Sequence, residues 1–264
     1  MKMNGLVIYN TKSGKEQSQM LVDAIKRVYD KYFNELNFYE TTAVEQLNKD
    51  VHTALFDCDI VLIAGGDGTV HTVVNALMKR TKRPAIFPLP YGTTNDISRL
   101  LGIDKKLEKN EHILLENTSR YIDLLKVNDQ YVVYAFAGGK YTDVSYAPPR
   151  KWIRRFGFIM YFLYIVKSFF KRYRQKIILS HKNQSIEVNT YVIFGIVSPR
   201  IAGFNLHRFH APILMDDGKI DLIVYRPSLF GFVRPGLFYL RHGKFSKKQF
   251  TIRTDEITIE LEKP

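Results

Sequence analysis

The residues best suited to chemistry in this chain are five in a row, Gly65-Gly66-Asp67-Gly68-Thr69. Glycines let the backbone turn tightly and approach a polyphosphate with no Cβ in the way. The N–H groups that open a following helix then face the anion. Asp67 does not suit direct phosphate binding, because two anions repel. It makes sense if a cation lies between them, and Mg²⁺ takes one or two carboxylates together with waters and phosphate oxygens. The competing reading is a structural glycine turn in which Asp67 only caps the helix. At average residue usage a given start position matches this pentapeptide on the order of once in a million, which weighs against a chance turn. The GxxxxGK[ST] phosphate loop is absent, as are the glycine loop and HRD/DFG set of protein kinases. A different phosphotransfer architecture is indicated.

The elements around the pentapeptide alternate. Residues 5–9 (GLVIY) read as a strand, 15–33 as a helix, 36–39 as a strand and 44–56 as a helix. Residues 59–64 (DIVLIA) form the fully apolar run of a central parallel strand, 69–80 a helix, and 85–89 a strand stopped by Pro90. Such strand–helix units imply a parallel sheet covered on both faces. The pentapeptide then sits at the carboxyl end of a strand, where open α/β sheets bind ligands. Beyond residue 120 the pattern changes. Strands over 121–127 and 130–137 are joined at Asn128-Asp129, a pair suited to a hairpin. A long helix is expected over 156–173 and a short one over 229–241. Strands are expected over 175–180, 186–197, 220–225, 249–253 and 256–260. This predicts two domains, an α/β nucleotide-binding domain over 1–123 and an antiparallel β domain over 124–264.

Bulk properties narrow the partners. Of 264 residues, 45% are hydrophobic and 25% charged, an ordinary globular balance. A net charge of +13 favours an anionic partner. The single cysteine, Cys58, rules out a disulfide framework within the chain and fits a reducing cytosol. The N-terminus reads as a strand and lacks a signal-peptide layout. The longest apolar run, 156–166, is well short of the roughly 20 residues that span a bilayer. Residues 148–174 instead set aromatics between basic clusters, Arg150, Lys151, Arg154 and Arg155 before them and Lys167, Lys171, Arg172 and Arg174 after. That pattern suits an anionic lipid surface, and a buried interdomain helix with solvated ends competes with it. Single-stranded nucleic acid is disfavoured, since no RNA-binding motif accompanies the aromatics. His207 and His210 lack metal-ligand company and read as loop residues.

Five motifs in order resemble the diacylglycerol kinase catalytic-domain family, which includes bacterial lipid kinases and the sphingosine and ceramide kinases. They are Asn10-Thr11-Lys12-Ser13-Gly14-Lys15, with Thr11 where the family has proline; the GGDGT loop; Gly92-Thr93-Thr94-Asn95-Asp96 followed by Arg99; Asp123; and the stretch from Pro212 through Asp216-Asp217-Gly218 to Asp221. The resemblance implies an NAD kinase/phosphofructokinase-like α/β domain followed by an antiparallel β-sandwich. It implies an ATP- and Mg²⁺-dependent kinase acting on a membrane lipid, diacylglycerol above others, at the inner face of the membrane. Asn10, Ser13, Lys15, Gly65, Gly66, Gly68, Thr69, Thr93 and Asn95 are then expected at the nucleotide. Asp67, Asp96 and Asp123 are expected in a water-linked acidic network around Mg²⁺, held by Arg99. A second, structural metal is expected on the Asp217 carboxylate and the Leu214 and Lys219 carbonyls.

The chain departs from the family at one point. The family's general base resembles the glutamate of a D-G-E motif beyond the last β-domain strands, and no DGE occurs here. Asp255 and Glu256 are the nearest acids, in a setting that does not match. Truncation of a longer protein is the favoured expectation, and a short homologue without activity is the alternative. An NAD kinase-like phosphotransferase also uses GGDGT, but should carry an Asn-Glu pair where this chain has GTTND. Diacylglycerol, phosphatidylglycerol, a polyprenol and a sphingoid base all offer the required hydroxyl. Oligomeric state is open, although an exposed β-domain edge could pair two chains as a homodimer.

Overall fold

The computed structural model describes residues 2–10, 15–139, 175–182, 184–201, 204–205, 212–226 and 249–261, without the side chains of residues 15–17, 201, 204–205 and 249–250. The expectations at Ser13, at the Lys15 side chain, at Arg150, Lys151, Arg154 and Arg155, and for helices over 156–173 and 229–241 lie outside what it describes. The chain divides into two compact units, Met1–Val133 and Tyr134–Pro264.

In the first unit β1 (Met3–Tyr9), β2 (Phe33–Glu40), β3 (Ile60–Gly65) and β4 (Ala85–Pro90) form a parallel sheet in the order β2-β1-β3-β4. Every residue of β3 is buried, as a strand covered on both faces requires. Val7, Leu62, Ala64, Phe87 and Leu89 pack in one cluster with Ile25, Val28 and Tyr29 of helix α1 (Lys15–Tyr29). Leu6, Ile8, Val61 and Ile63, on the opposite face by pleat alternation, are equally sealed from solvent. Helix α3 (Asp67–Leu77), packed on β3, buries Val70, Val73, Val74 and Leu77. Each such aliphatic side chain contributes about 1.5–3 kcal/mol by leaving water. These layers fix the sheet edge from which the motif loops depart.

That edge is where sheet order reverses, between β1 and β3, the place where α/β sheets of this order hold ligands. Register pairs Tyr9 with Ala64 and Gly65 with Pro90. The loops that begin at Asn10, Gly66 and Tyr91 therefore leave the sheet at one level.

Several boundaries differ from the sequence expectations. The helix expected over 15–33 ends at Tyr29; a 3₁₀ turn, Asp30–Tyr32, follows, and Phe33 opens β2 with its ring buried. The helix expected over 44–56 is α2 (Val44–Asp50), closed by the Thr53 hydroxyl donating to the Asp50 carbonyl (2.7 Å), with a separate 3₁₀ turn at Ala54–Phe56. Helices α4 (Asp96–Leu100) and α5 (Glu111–Glu116) were not foreseen. The expected hairpin is shorter, β5 (Leu125–Val127) and β6 (Gln130–Val132), and turns at Asn128 in the left-handed region (φ 51°) that asparagine tolerates.

The second unit is antiparallel. One sheet has the order β14-β13-β10-β7, from β7 (Ala135–Gly139), β10 (Val192–Ile196), β13 (Ile220–Tyr225) and β14 (Gln249–Thr254). The other has the order β15-β8-β9, from β8 (Gln175–His181), β9 (Gln184–Thr190) and β15 (Thr258–Leu261). A minor pair joins β11 (Arg200–Ile201) to β12 (Phe204–Asn205). Ile177, Leu179 and Val188 of the second sheet pack on Ile193, Leu222 and Val224 of the first, which makes a sandwich. The single strand expected over 186–197 is β9 and β10, broken at Tyr191 where the chain crosses between sheets. The buried Thr190 hydroxyl holds that corner, shared between the Val192 (3.0 Å) and Tyr225 (2.9 Å) carbonyls. Among the described residues no helix is long and apolar enough to cross a membrane.

Candidate active site

The glycine loop is the junction of β3 and α3. Gly65 ends the strand, Gly66 is extended at the helix N-cap (φ −94°, ψ −178°) with no side-chain cap, and Asp67 is the first helical residue. The helix thus begins two residues before the expected start at residue 69. The Thr69 and Val70 amides bond back to the Gly66 carbonyl (2.9 and 3.1 Å). The amides of Asp67 and Gly68 lead the helix and have no acceptor within it. Thr69 folds its side chain against Gly65, where a Cβ would come within 2.6 Å of it. A Cβ on Gly68 would meet nothing within 4 Å, and the residue is exposed. The lip of the loop is therefore open.

The GTTND loop closes on this junction backbone to backbone. A Cβ on Gly92 would stand 2.4 Å from the Gly66 Cα, closer than any side chain permits. The Tyr91 amide donates to the Gly65 carbonyl (3.1 Å). Asp67 completes the tie. Its Oδ2 accepts from the Thr94 hydroxyl (2.7 Å) and its Oδ1 from the Ile97 amide (3.1 Å). A carboxylate accepting one bond on each oxygen keeps lone pairs for water or a cation. Asp67 itself is half-buried.

Asn95 was expected at the nucleotide, and the structure gives its side chain another task. It is buried, lies in the left-handed region (φ 51°, ψ 46°), and bonds both ways to Gly92: Oδ1 accepts from the Gly92 amide (2.7 Å) and Nδ2 donates to the Gly92 carbonyl (2.8 Å). It shapes the loop from beneath. Asp96, expected in the acidic network, is wholly enclosed in the first turn of α4.

Thr93 is exposed and Asn10 half-buried at the end of β1. Arg99 is exposed on α4 and makes no ion pair among the described residues. Asp123 is half-buried in the irregular segment that leads into β5.

Two residues of α3 escaped sequence reasoning. Asn75 acts as an extra strand edge: its Oδ1 accepts from the Tyr131 amide (2.8 Å) and its Nδ2 donates to the Tyr131 carbonyl (2.7 Å). The helix opened by Asp67 is thereby tied to the hairpin that follows Asp123. His71, one helical turn after Asp67, is half-buried, and burial holds its imidazole below the ordinary value of 6.5. Only the i, i+4 spacing from Asp67 could have flagged it.

Mg²⁺ can be tested against these groups. No cluster of three or more His, Cys, Asp or Glu stands ready for a metal among the described residues. One anchored, half-exposed carboxylate beside an uncapped helix start fits a cation held chiefly by waters and phosphate oxygens, which is how Mg²⁺ is usually bound. ATP fits on the same grounds, through its phosphates.

In the second unit, Asp217 of the expected metal set receives the Lys219 amide on Oδ1 (3.0 Å) and the Arg253 guanidinium on Oδ2. Asp255 and Glu256 border a polar recess of about 470 Å³ with His181 and Lys182. Asp255 is held below the usual carboxylate range, first by its own backbone amide and then by Lys219. A lowered pKa makes a carboxylate a weaker proton acceptor.

Comparison with known proteins agrees with this arrangement. Residues 4–127, which contain the whole edge, match the diacylglycerol kinase catalytic domain. The chain is 29% identical over 233 residues to a diacylglycerol kinase of Staphylococcus aureus (strain bovine RF122 / ET3-1), covering 86% of this chain and 72% of the relative. It is 27% identical over 251 residues to a diacylglycerol kinase of Bacillus subtilis (strain 168), covering 94% and 82%. A crystal structure of a diacylglycerol kinase from Bacillus anthracis str. Sterne shares the fold with a TM-score of 0.76 at 21% identity, over 100% of this chain and 88% of that one. The matched residues 4–127 and the similarity along most of the chain are those of diacylglycerol kinases, and they support a phosphotransferase whose acceptor is an alcohol.

Proposed function

We propose that the chain is a lipid kinase that moves the γ-phosphoryl group of ATP, with Mg²⁺, to the hydroxyl of a membrane lipid, diacylglycerol first among the acceptors. The observation that carries this reading is the Gly66–Gly92 contact bolted by Asp67. It leaves an uncapped helix start, an open Gly68 and one anchored carboxylate on a single rigid edge.

Phosphoryl transfer asks a protein for alignment and charge neutralisation more than for covalent help. The Asp67 and Gly68 amides, with the exposed Thr93 hydroxyl, would hold the phosphate oxygens. Asp67 would hold Mg²⁺ through water, and that ion would supply charge neutralisation on the phosphates. Asn10 lies at the level of Gly65 and would frame the nucleotide. The lipid names of the relatives and the basic residues Arg150, Lys151, Arg154 and Arg155 support work at the inner membrane surface.

The test is transfer of label from ATP to a lipid panel in mixed micelles, with and without Mg²⁺. We expect diacylglycerol to be labelled, with Asp67→Ala reducing the rate by at least about 100-fold. A protein that labels none of the lipids, while transferring to NAD, would overturn the proposal. A second reading rests on Asp255, whose lowered pKa suits it poorly as a proton acceptor: nucleotide binding without turnover. ATP binding by calorimetry with no labelled lipid would favour it.

A further inference from the structure

We propose that in this chain the guanidinium of Arg253 takes the place that the family resemblance gives to a structural metal, so that the 212–219 turn is held without a divalent ion. The residues assigned to that metal do not fit one here. The Asp217 carboxylate accepts the Lys219 amide at 3.0 Å and the charged Arg253 Nη2, so a cation of the protein already neutralises it. The other arm of the same guanidinium, Nη1, donates to the Pro212 carbonyl (3.2 Å).

Arg253 thus joins the start of the turn, its middle and strand β14, the cross-linking a structural ion would perform. Asp217 and Arg253 keep 19% and 31% of their side-chain exposure, so the pair is partly withdrawn from solvent. Arginine cannot shed its proton in a protein. A divalent cation at Asp217 would therefore stand a few ångströms from a permanent positive charge. Buried Asp221, opposite Arg253 in the β13–β14 register, adds an anion on the strand side. The guanidinium so sits between two acids. No cluster of three metal-ligating side chains surrounds it among the described residues. The inference does not depend on the lipid-kinase reading.

Thermal unfolding of the full chain tests it, scanned after EDTA treatment and then with added Mg²⁺ or Ca²⁺, beside Asp217→Asn, Arg253→Gln and Arg253→Lys. Comparing parent with Asp217→Asn isolates this corner from any cation effect at the phosphate edge. We expect parent and Asp217→Asn to respond identically to EDTA and to either ion. We expect Arg253→Gln to lower Tm by roughly 3–8 °C, and Arg253→Lys to keep part of that, since it retains the charge and loses the fork. A Tm of the parent that falls with EDTA and returns with Mg²⁺ or Ca²⁺, in a way Asp217→Asn abolishes, overturns the proposal. That comparison stands even if Arg253→Gln fails to fold.

Discussion

Asp67 carries two tasks that substitution can separate. Its oxygens anchor the second loop through Thr94 and Ile97, and its charge suits a cation. Asp67→Asn keeps a carbonyl oxygen for the Ile97 amide and an amide group that the Thr94 hydroxyl can accept from. We expect this variant to melt close to the parent and to lose at least about 100-fold in transfer rate. Thr94→Val keeps the charge and removes one anchor, so it should cost about 1 kcal/mol of stability and far less activity. Equal loss of stability and rate in Asp67→Asn would make the residue a loop bolt alone. Asn95→Ala behaves in the opposite way: it deletes two bonds to Gly92 and places alanine in the left-handed region, and should cost about 2–4 kcal/mol in denaturant unfolding.

At the scale of elements, α3 links the phosphate edge to the β5–β6 hairpin, and Asn75 makes the link. Asn75→Ala removes both bonds to Tyr131. It should cost about 1–3 kcal/mol and speed hydrogen exchange at the Tyr131 amide. Unchanged exchange there would show that the hairpin stands by itself. This link was invisible in sequence, because nothing local distinguishes an asparagine that bonds a backbone 56 residues away. The sheet and the glycine loops were legible, since DIVLIA is apolar throughout and GGDGT admits few conformations. Helices α4 and α5 were not, because five and six residues complete too few turns to show a period. The β9–β10 corner escaped for another reason: no glycine or proline interrupts residues 186–194, and the shared Thr190 hydroxyl marks the crossing. The Asn95 amide was expected at a ligand through the family resemblance alone, which says nothing of its two bonds to Gly92. Arg253 lies 36 residues from Asp217, and nothing local to either residue pairs them.

For the molecule as a whole, pH should act through two groups of residues in different ranges. His71 lies on α3, and burial lowers its pKa in the folded chain below the unfolded value of 6.5. The unfolded chain therefore takes up the proton first as pH falls. Stability attributable to His71 is complete above 6.5, declines as pH drops below it, and stops declining once the folded imidazole is also protonated. The carboxylates act lower. Asp50 is held down by the Tyr39 hydroxyl and Gln46, Asp104 by the Lys106 amide, and Glu111 by Lys31 and Tyr32. Their contribution is intact above the ordinary values of 3.8 for Asp and 4.5 for Glu, and fades below them. Asp221 runs the other way, because burial raises its pKa and protonation relieves it. Tm measured against pH should then show an initial decline that starts near 6.5 and a steeper one below about 4.5. His71→Asn should flatten the first decline and leave the second. If the variant follows the parent's curve between pH 7 and 5, the imidazole on α3 is not what senses that range.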